Sequence, residues 1–317
     1  MCSFLYFVLL GKNEEIADIH MEIKKVIKKL LFSISSGIAD ILYKRPYFDH
    51  ESRKRQSTED EILHLDLVIT ECCSLKCRDC SNLMQYYKTP GNISSEDVIN
   101  DLKRLFSCTR VGELKILGGE PFVNQKTLND VLRFLSDEAE NKVDTINIIT
   151  NGTIIPSDDC INAIVNNPKA TVVFSNYGEL SSKQDEFIEI CRNKGIRFSV
   201  TDDSFSWLDF GRPVEYDETE EFIRRQYRNC YNRKNCNTLY RGGIYVCPRQ
   251  AHGIRLKLIP DDKKEYVDIY DPHYEKPDEL RRALFKLIKR KEPIGACRFC
   301  IKGKYIRIKR GVQDNIS

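Results

Sequence analysis

Cys73, Cys77 and Cys80 stand at CxxxCxxC spacing directly after the apolar run 63–69. Three thiolates on one short loop at a strand end can hold three corners of a cubane [4Fe-4S] cluster, and no fourth cysteine follows at ferredoxin spacing. One iron is then left open to chelate a second molecule. Cys72 breaks the spacing and reads as a non-ligand, facing the opposite way if the chain is still extended there. A second set, Cys230, Cys236, Cys247, Cys297 and Cys300, follows residue 216 and ends in a CxxC pair. Five candidates exceed four ligand positions, and spacing favours Cys230 over Cys236. Four-cysteine sites with CxxC also bind structural zinc, which is the alternative occupant. Cys2, Cys108, Cys160 and Cys191 are isolated and read as core or surface thiols.

The elements that must position these residues alternate. Strand-like runs at 63–69, 114–117, 145–150, 171–175 and 197–200 are separated by helical patterns, the first opened by Ser94 and Asp97 as capping residues. Repeated βα units imply a parallel α/β sheet, whose functional groups gather at strand carboxyl ends. There the second strand runs into Gly118-Gly119-Glu120-Pro121, the third into Asn151-Gly152 and the fourth into Ser175-Asn176. An Asn-Gly pair after a strand is also ordinary turn chemistry. Upstream, apolar residues at helical spacing over 21–43, with lysines opposite, predict an amphipathic N-terminal helix packed on protein, and a polar linker follows at 49–57. The expected domains are 1–57 (helical extension and linker), 58–215 (core) and 216–317 (second cysteine set).

Of the 317 residues, 31% are charged and 41% hydrophobic with net charge +3, a balance that gives no nucleic-acid footprint. The 13 cysteines fall in metal-ligand spacings in a long chain, so a reducing, cytoplasmic compartment is expected. The first ten residues are too short to span a bilayer and lack the flanks of a signal peptide, so no transmembrane segment is expected.

The CxxxCxxC loop followed by the GGEP turn resembles the radical S-adenosylmethionine enzymes. The resemblance implies a partial (βα)6 TIM-type barrel, with S-adenosylmethionine held at the open iron and by Gly118, Gly119, Glu120 and Pro121, and with Asn151, Ser175 and Asn176 near its carboxylate or ribose. Many members carry an aromatic residue before the third cysteine, against the adenine, where this chain has Asp79. Cys230, Gly242 and Cys247 are similar to the CX9-15GX4C pattern of auxiliary-cluster (SPASM) domains. With no cysteine after Cys300, the segment resembles their shortened one-cluster form, the twitch domain. Two [4Fe-4S] clusters are thereby implied.

The implied activity is reductive cleavage of S-adenosylmethionine to a 5′-deoxyadenosyl radical that takes a hydrogen from a substrate. A second cluster accepting the remaining electron would make this a dehydrogenase-like oxidoreductase. An electron donor such as flavodoxin or ferredoxin is implied as partner. The region from about 63 to 300 resembles twitch enzymes associated with sugars or glycans, so a small polar molecule or sugar is the expected substrate. A radical peptide maturase and a non-catalytic zinc or cluster-binding protein are the alternatives. Trp207, Tyr86, Tyr87, Asp202, Asp203 and Asp209 are candidates to line a polyol pocket, with ordinary packing as the competing role. Arg212 is a candidate phosphate ligand.

Overall fold

The computed structural model describes residues 61–201 and 207–314. The helix expected over 21–43, the linker at 49–57, Cys2, Asp202 and Asp203 lie outside them. The chain divides into two units, Met1–Arg55 and Gln56–Ser317, and every described residue belongs to the second.

Five parallel strands appear in the predicted places: β1 (Glu61–Val68), β2 (Arg110–Leu117), β3 (Val143–Thr150), β4 (Ala170–Phe174) and β5 (Phe198–Val200). Four helices link them: α1 (Ser95–Phe106), α2 (Gln125–Asp137), α3 (Asp158–Val165) and α4 (Gln184–Lys194). The start of α1 follows from its sequence. Ser94 accepts a hydrogen bond from the Asp97 N–H at 3.1 Å, and Glu96 and Asp97 complement the helix N-terminus. Val98, Leu102 and Leu105 then recur on one face and are buried.

The two faces of β1 differ, as strand alternation requires. Leu65 and Leu67, with Leu114 and Ile116 of β2, join the core that Leu102, Leu128 and Leu132 supply from the helices. The opposite face is polar, and in register His64 stands beside Glu113 and Asp66 beside Lys115.

The order of the main sheet is β5-β4-β3-β2-β1-β7-β8-β9. The added strands are β7 (Asn237–Tyr240), β8 (Gly243–Tyr245) and β9 (Val267–Asp268). A sixth parallel strand is therefore present, but it is β7, paired with β1 through Leu65–Asn237 to Leu67–Leu239, and not a strand beyond β5. Between Cys230 and Cys247, β7 and β8 form an antiparallel hairpin. Arg241 (φ 47°) and Gly242 (φ 74°) form its two-residue turn, both left-handed as such a turn requires. So the main sheet runs without a break from the core into the second cysteine segment.

That segment adds α5 (Glu220–Asn229), α6 (Tyr231–Asn235), α7 (Pro248–Arg255) and α8 (Pro277–Ile288). A separate two-stranded ribbon pairs β6 (Trp207–Leu208) with β10 (Arg307–Ile308). Among the described residues no helix is long and apolar enough to cross a membrane.

Candidate functional site

The CxxxCxxC loop leaves the carboxyl end of β1 and packs against the turn that ends β2. The Glu120 N–H donates to the Cys72 carbonyl at 2.8 Å, and the Gly119 N–H to the Thr70 carbonyl at 3.1 Å. A Cβ on Gly118 would collide with the Thr70 carbonyl, and one on Gly119 with that of Cys72. Only glycines allow the two loops to approach this closely.

Cys73, Cys77 and Cys80 are brought together, each within electrostatic reach of another. Burial pushes the Cys73 thiol up to about 12 and the Cys77 thiol up to about 11, and neighbouring thiols add to both. Burial likewise raises Cys80, opposed by the backbone N–H groups of Met84, Asn82 and Leu83. Such thiols stay protonated until a metal displaces their protons, so loading would release protons. Donors already point at the sulfurs: Leu75 N–H lies 3.5 Å and Asn151 Nδ2 3.7 Å from Cys73 Sγ, and Gln313 Nε2 lies 3.5 Å from Cys77 Sγ. Cys72 contributes its backbone, with its N–H on Thr70 Oγ1 at 3.0 Å. Three clustered thiols with donors on them fit the donor set of a cluster.

Glu120 is fully buried. Its carboxylate accepts from the Asn151 N–H (2.7 Å), the Thr150 hydroxyl (2.9 Å) and the Phe122 N–H (3.3 Å). Burial nevertheless pushes it up to about 7, against those bonds. Glu120 thus clamps the end of β3, and Asn151 in turn donates to Ser74 Oγ at 3.1 Å. Ser175 continues β4 through its N–H on the Thr150 carbonyl at 2.8 Å. The Asn176 Oδ1 accepts from the Gly178 N–H at 2.8 Å, so this side chain closes its own turn. Asp79 pairs with Arg78 at 3.0 Å.

Tyr177 was missed by sequence reasoning. Burial and then the thiols of Cys80, Cys77 and Cys73 raise its phenol well above the usual range, so the ring stands beside the first set. It meets Trp207 edge to face, with centroids 4.6 Å apart. A Tyr directly after a strand-end Asn was the available signal.

In the second set, Cys230 ends α5, Cys247 caps α7, Cys297 lies within the 3-10 turn Gly295–Phe299 and Cys300 ends it. Burial pushes Cys247 up to about 12, and the Cys230 and Cys300 thiols contribute. Cys297 is raised well above the usual range by burial, then by Cys247, Cys230 and Cys300. Cys236 is not brought into this group. It sits on the polar face of the sheet, where burial and then Asp66 raise it and Lys115 and Lys302 oppose, with Cys230 a smaller influence. Among the described residues no three His, Cys, Asp or Glu side chains are placed to hold one metal ion.

Two further groups join the segments. Arg249, buried in the first turn of α7, donates to the carbonyls of Phe299 (3.0 Å) and Gly211 (2.7 Å). Its charge opposes the burial that raises Cys80, Cys247 and Cys300, so one guanidinium acts on thiols of both sets. Glu71, two residues before Cys73, accepts from the Tyr240 hydroxyl, from the Gly91 N–H at 3.0 Å and from Arg241 at 3.0 Å. Burial opposes its charge, but these partners outweigh it and hold the carboxyl below the usual range. The Tyr87 hydroxyl lies 3.3 Å from that of Tyr240 and 2.8 Å from His252 Nδ1. Tyr87 therefore belongs to this network. Asp209 caps Gly211 at 2.6 Å, and the Arg212 carbonyl accepts from Tyr216. Cys160 and Cys191 are buried in the core, and Cys108 packs against it.

Residues 66–167 match the family described as a 4Fe-4S single cluster domain. A curated relative, the radical SAM cyclopropyl synthase TigE of Paramaledivibacter caminithermalis, is 26% identical over 160 residues, covering 45% of this chain and 32% of TigE. The chain thus matches about a third of that relative's length. Among solved structures, anSMEcpe with bound AdoMet and Kp18Cys peptide is 15% identical with TM-score 0.48, covering 77% of this chain and 90% of that one. SuiB of Streptococcus suis bound to S-adenosylmethionine is 17% identical with TM-score 0.38, covering 56% and 40%. The matched residues 66–167 hold the CxxxCxxC loop and the Gly118–Pro121 turn, so the stretch that carries the candidate site is similar to a 4Fe-4S single cluster domain, and 160 residues of the chain are similar to a radical SAM enzyme.

Proposed function

We propose that the chain is an enzyme that cleaves S-adenosylmethionine reductively and uses the resulting radical to oxidise a small polar molecule or sugar. The observation that carries the reading is the convergence of Cys73, Cys77 and Cys80 on one loop beside the Gly118–Pro121 turn. When bound, a [4Fe-4S] cluster and S-adenosylmethionine would supply the electron and the 5′-deoxyadenosyl radical. The chain's own residues position and shield. Gly118 and Gly119 let the turn after β2 pack on the cysteine loop and would leave backbone close to the cosubstrate, Glu120 holds the β3 end so that Asn151 faces the cysteine loop, and Ser175 and Asn176 lie at the next strand end. Tyr177 is the aromatic group available to the adenine in place of Asp79.

Cys230, Cys247, Cys297 and Cys300 are the proposed ligands of a second [4Fe-4S] cluster, making the net reaction an oxidation. Their mutual electrostatic influence, with Cys236 engaged by Asp66 and Lys115, supports that choice. A polar substrate is supported by the face of the sheet opposite the helices. There His64 and Asn147 hold Glu113 at 2.6 and 2.5 Å, and Lys115 lies 3.7 Å from both Asp66 and Glu113. An exogenous reductant or a flavodoxin- or ferredoxin-type donor would supply the first electron.

The test is substrate-dependent 5′-deoxyadenosine release from anaerobically reconstituted protein, with polyols and sugars in one arm and cysteine-containing peptides in the other. Stimulation by the first arm supports the reading. Stimulation by peptides alone, the class bound in the anSMEcpe structure, replaces its substrate.

A further inference from the structure

We propose that Gln313 is a positioning residue for the first cysteine loop, and that its amide sets the reduction potential of a cluster held by Cys73, Cys77 and Cys80. The proposal rests on the reading of that loop as a cluster site.

Residues 307–314 form a strap across the loop. It begins in β10, where Arg307 pairs with Leu208 and Ile308 with Trp207. Arg310 Nη1 then donates to the Asn176 carbonyl at 3.1 Å. Gly311 passes so near Leu180 and Tyr177 that a Cβ would stand 2.8 and 3.0 Å from their side chains. Next the strap pairs with the loop itself. The Arg78 N–H donates to the Val312 carbonyl at 2.8 Å and the Asp314 N–H to the Lys76 carbonyl at 2.6 Å, an antiparallel bridge centred on Cys77 and Gln313. Backbone pairing on both sides fixes where the Gln313 side chain can reach.

That side chain has one arrangement that satisfies its partners. Its Oε1 accepts from the Lys76 N–H at 2.8 Å, and its Nε2 donates to the Gly311 carbonyl at 2.8 Å. Flipping the amide would set donor against donor and acceptor against acceptor. The remaining Nε2–H is directed to Cys77 Sγ at 3.5 Å. A donor on a ligand sulfur draws off negative charge and favours the reduced, more negative state of a cluster. Removing it should therefore lower the potential.

Two variants separate this role from simple support. Gln313→Leu keeps bulk and loses both polar functions. Gln313→Glu keeps an acceptor for Lys76, loses the donor and adds negative charge. Each full chain is reconstituted anaerobically, its iron counted, and the electron paramagnetic resonance signal that changes on adding S-adenosylmethionine is followed in a redox titration. Gln313→Leu should keep its iron and shift the reduction equilibrium about tenfold, which is about 59 mV downward for one electron, with Gln313→Glu lower still. Wild-type potentials in both variants, with iron retained, would overturn the proposal. So would loss of iron from this site in Gln313→Leu, because the strap would then be a structural support only. A wild-type chain with no signal responsive to S-adenosylmethionine would refute the cluster reading itself, a separate result that removes the proposal with it.

Discussion

Glu120→Gln replaces a buried carboxylate by its neutral isostere, and both consequences can be worked from the site. The first is electrostatic. Burial raises Glu120 from 4.5 to about 7, so its contribution to stability is fully present below 4.5 and is lost as pH rises through 7. Between pH 5.5 and pH 8 the wild-type chain should lose about 2 kcal/mol through this group, while the glutamine contributes no such change. The second is geometric. Two carboxylate oxygens receive three donors, and an amide offers one oxygen, so at least one of the Asn151 and Phe122 N–H groups loses its acceptor. That costs about 1–3 kcal/mol at any pH and frees the β3 end that carries Asn151 to the cysteine loop. Anaerobic denaturant titrations of both proteins at the two pH values, in the absence of S-adenosylmethionine, give the difference directly. Isothermal titration with S-adenosylmethionine should show weakened binding with iron content unchanged. A stability difference that ignores pH would refute the raised carboxyl, and undiminished affinity would refute the clamp.

His252 should act with the opposite sign. Burial pushes it down to about 4, so its contribution is present above 6.5 and is lost as pH falls towards 4. Going from pH 7.5 to 5.5 should cost the wild-type chain about 1.4 kcal/mol that His252→Gln does not lose, read as the pH dependence of the denaturation midpoint. In the second set, Cys230→Ser should lose about half of roughly eight irons per chain, by the two-site ligand count, while Cys236→Ser keeps them. Equal iron loss in both would show that spacing and electrostatic grouping had selected the wrong thiol. Cys247→Ala, Cys297→Ala and Cys300→Ala should each lower the melting temperature and uncouple S-adenosylmethionine cleavage from product formation, since the proposed second cluster would tie the end of α5, the start of α7 and the loop at 295–300 together. Melting scans with product analysis check this.

What could be read from the sequence was local. The CxxxCxxC loop, the Gly118–Pro121 turn and the Ser94 cap are each settled within a few residues, and the five βα strands carry their own apolar periodicity. What could not be read depends on distant partners. β7 has the same short apolar signature as any hairpin strand, and nothing in Asn237–Tyr240 says that it pairs with β1 and extends the core sheet. Gln313 lies 236 residues from Cys77, and no periodicity links a glutamine to a thiol across that separation. Cys230 and Cys236 differ by six positions, yet one ends a helix beside the second set and the other faces Asp66. Arg249 carries no local signal of its role, because the carbonyls of Gly211 and Phe299 that hold it arrive from other loops.

Cys73, Cys77 and Cys80 are proposed to hold a cluster with an open iron for S-adenosylmethionine. The most direct test is 5′-deoxyadenosine formation by the anaerobically reconstituted, reduced chain beside Cys73→Ala, Cys77→Ala, Cys80→Ala and Cys72→Ala. Cleavage should be abolished in the first three variants and retained in Cys72→Ala. Wild-type yield in any of the first three would contradict the account.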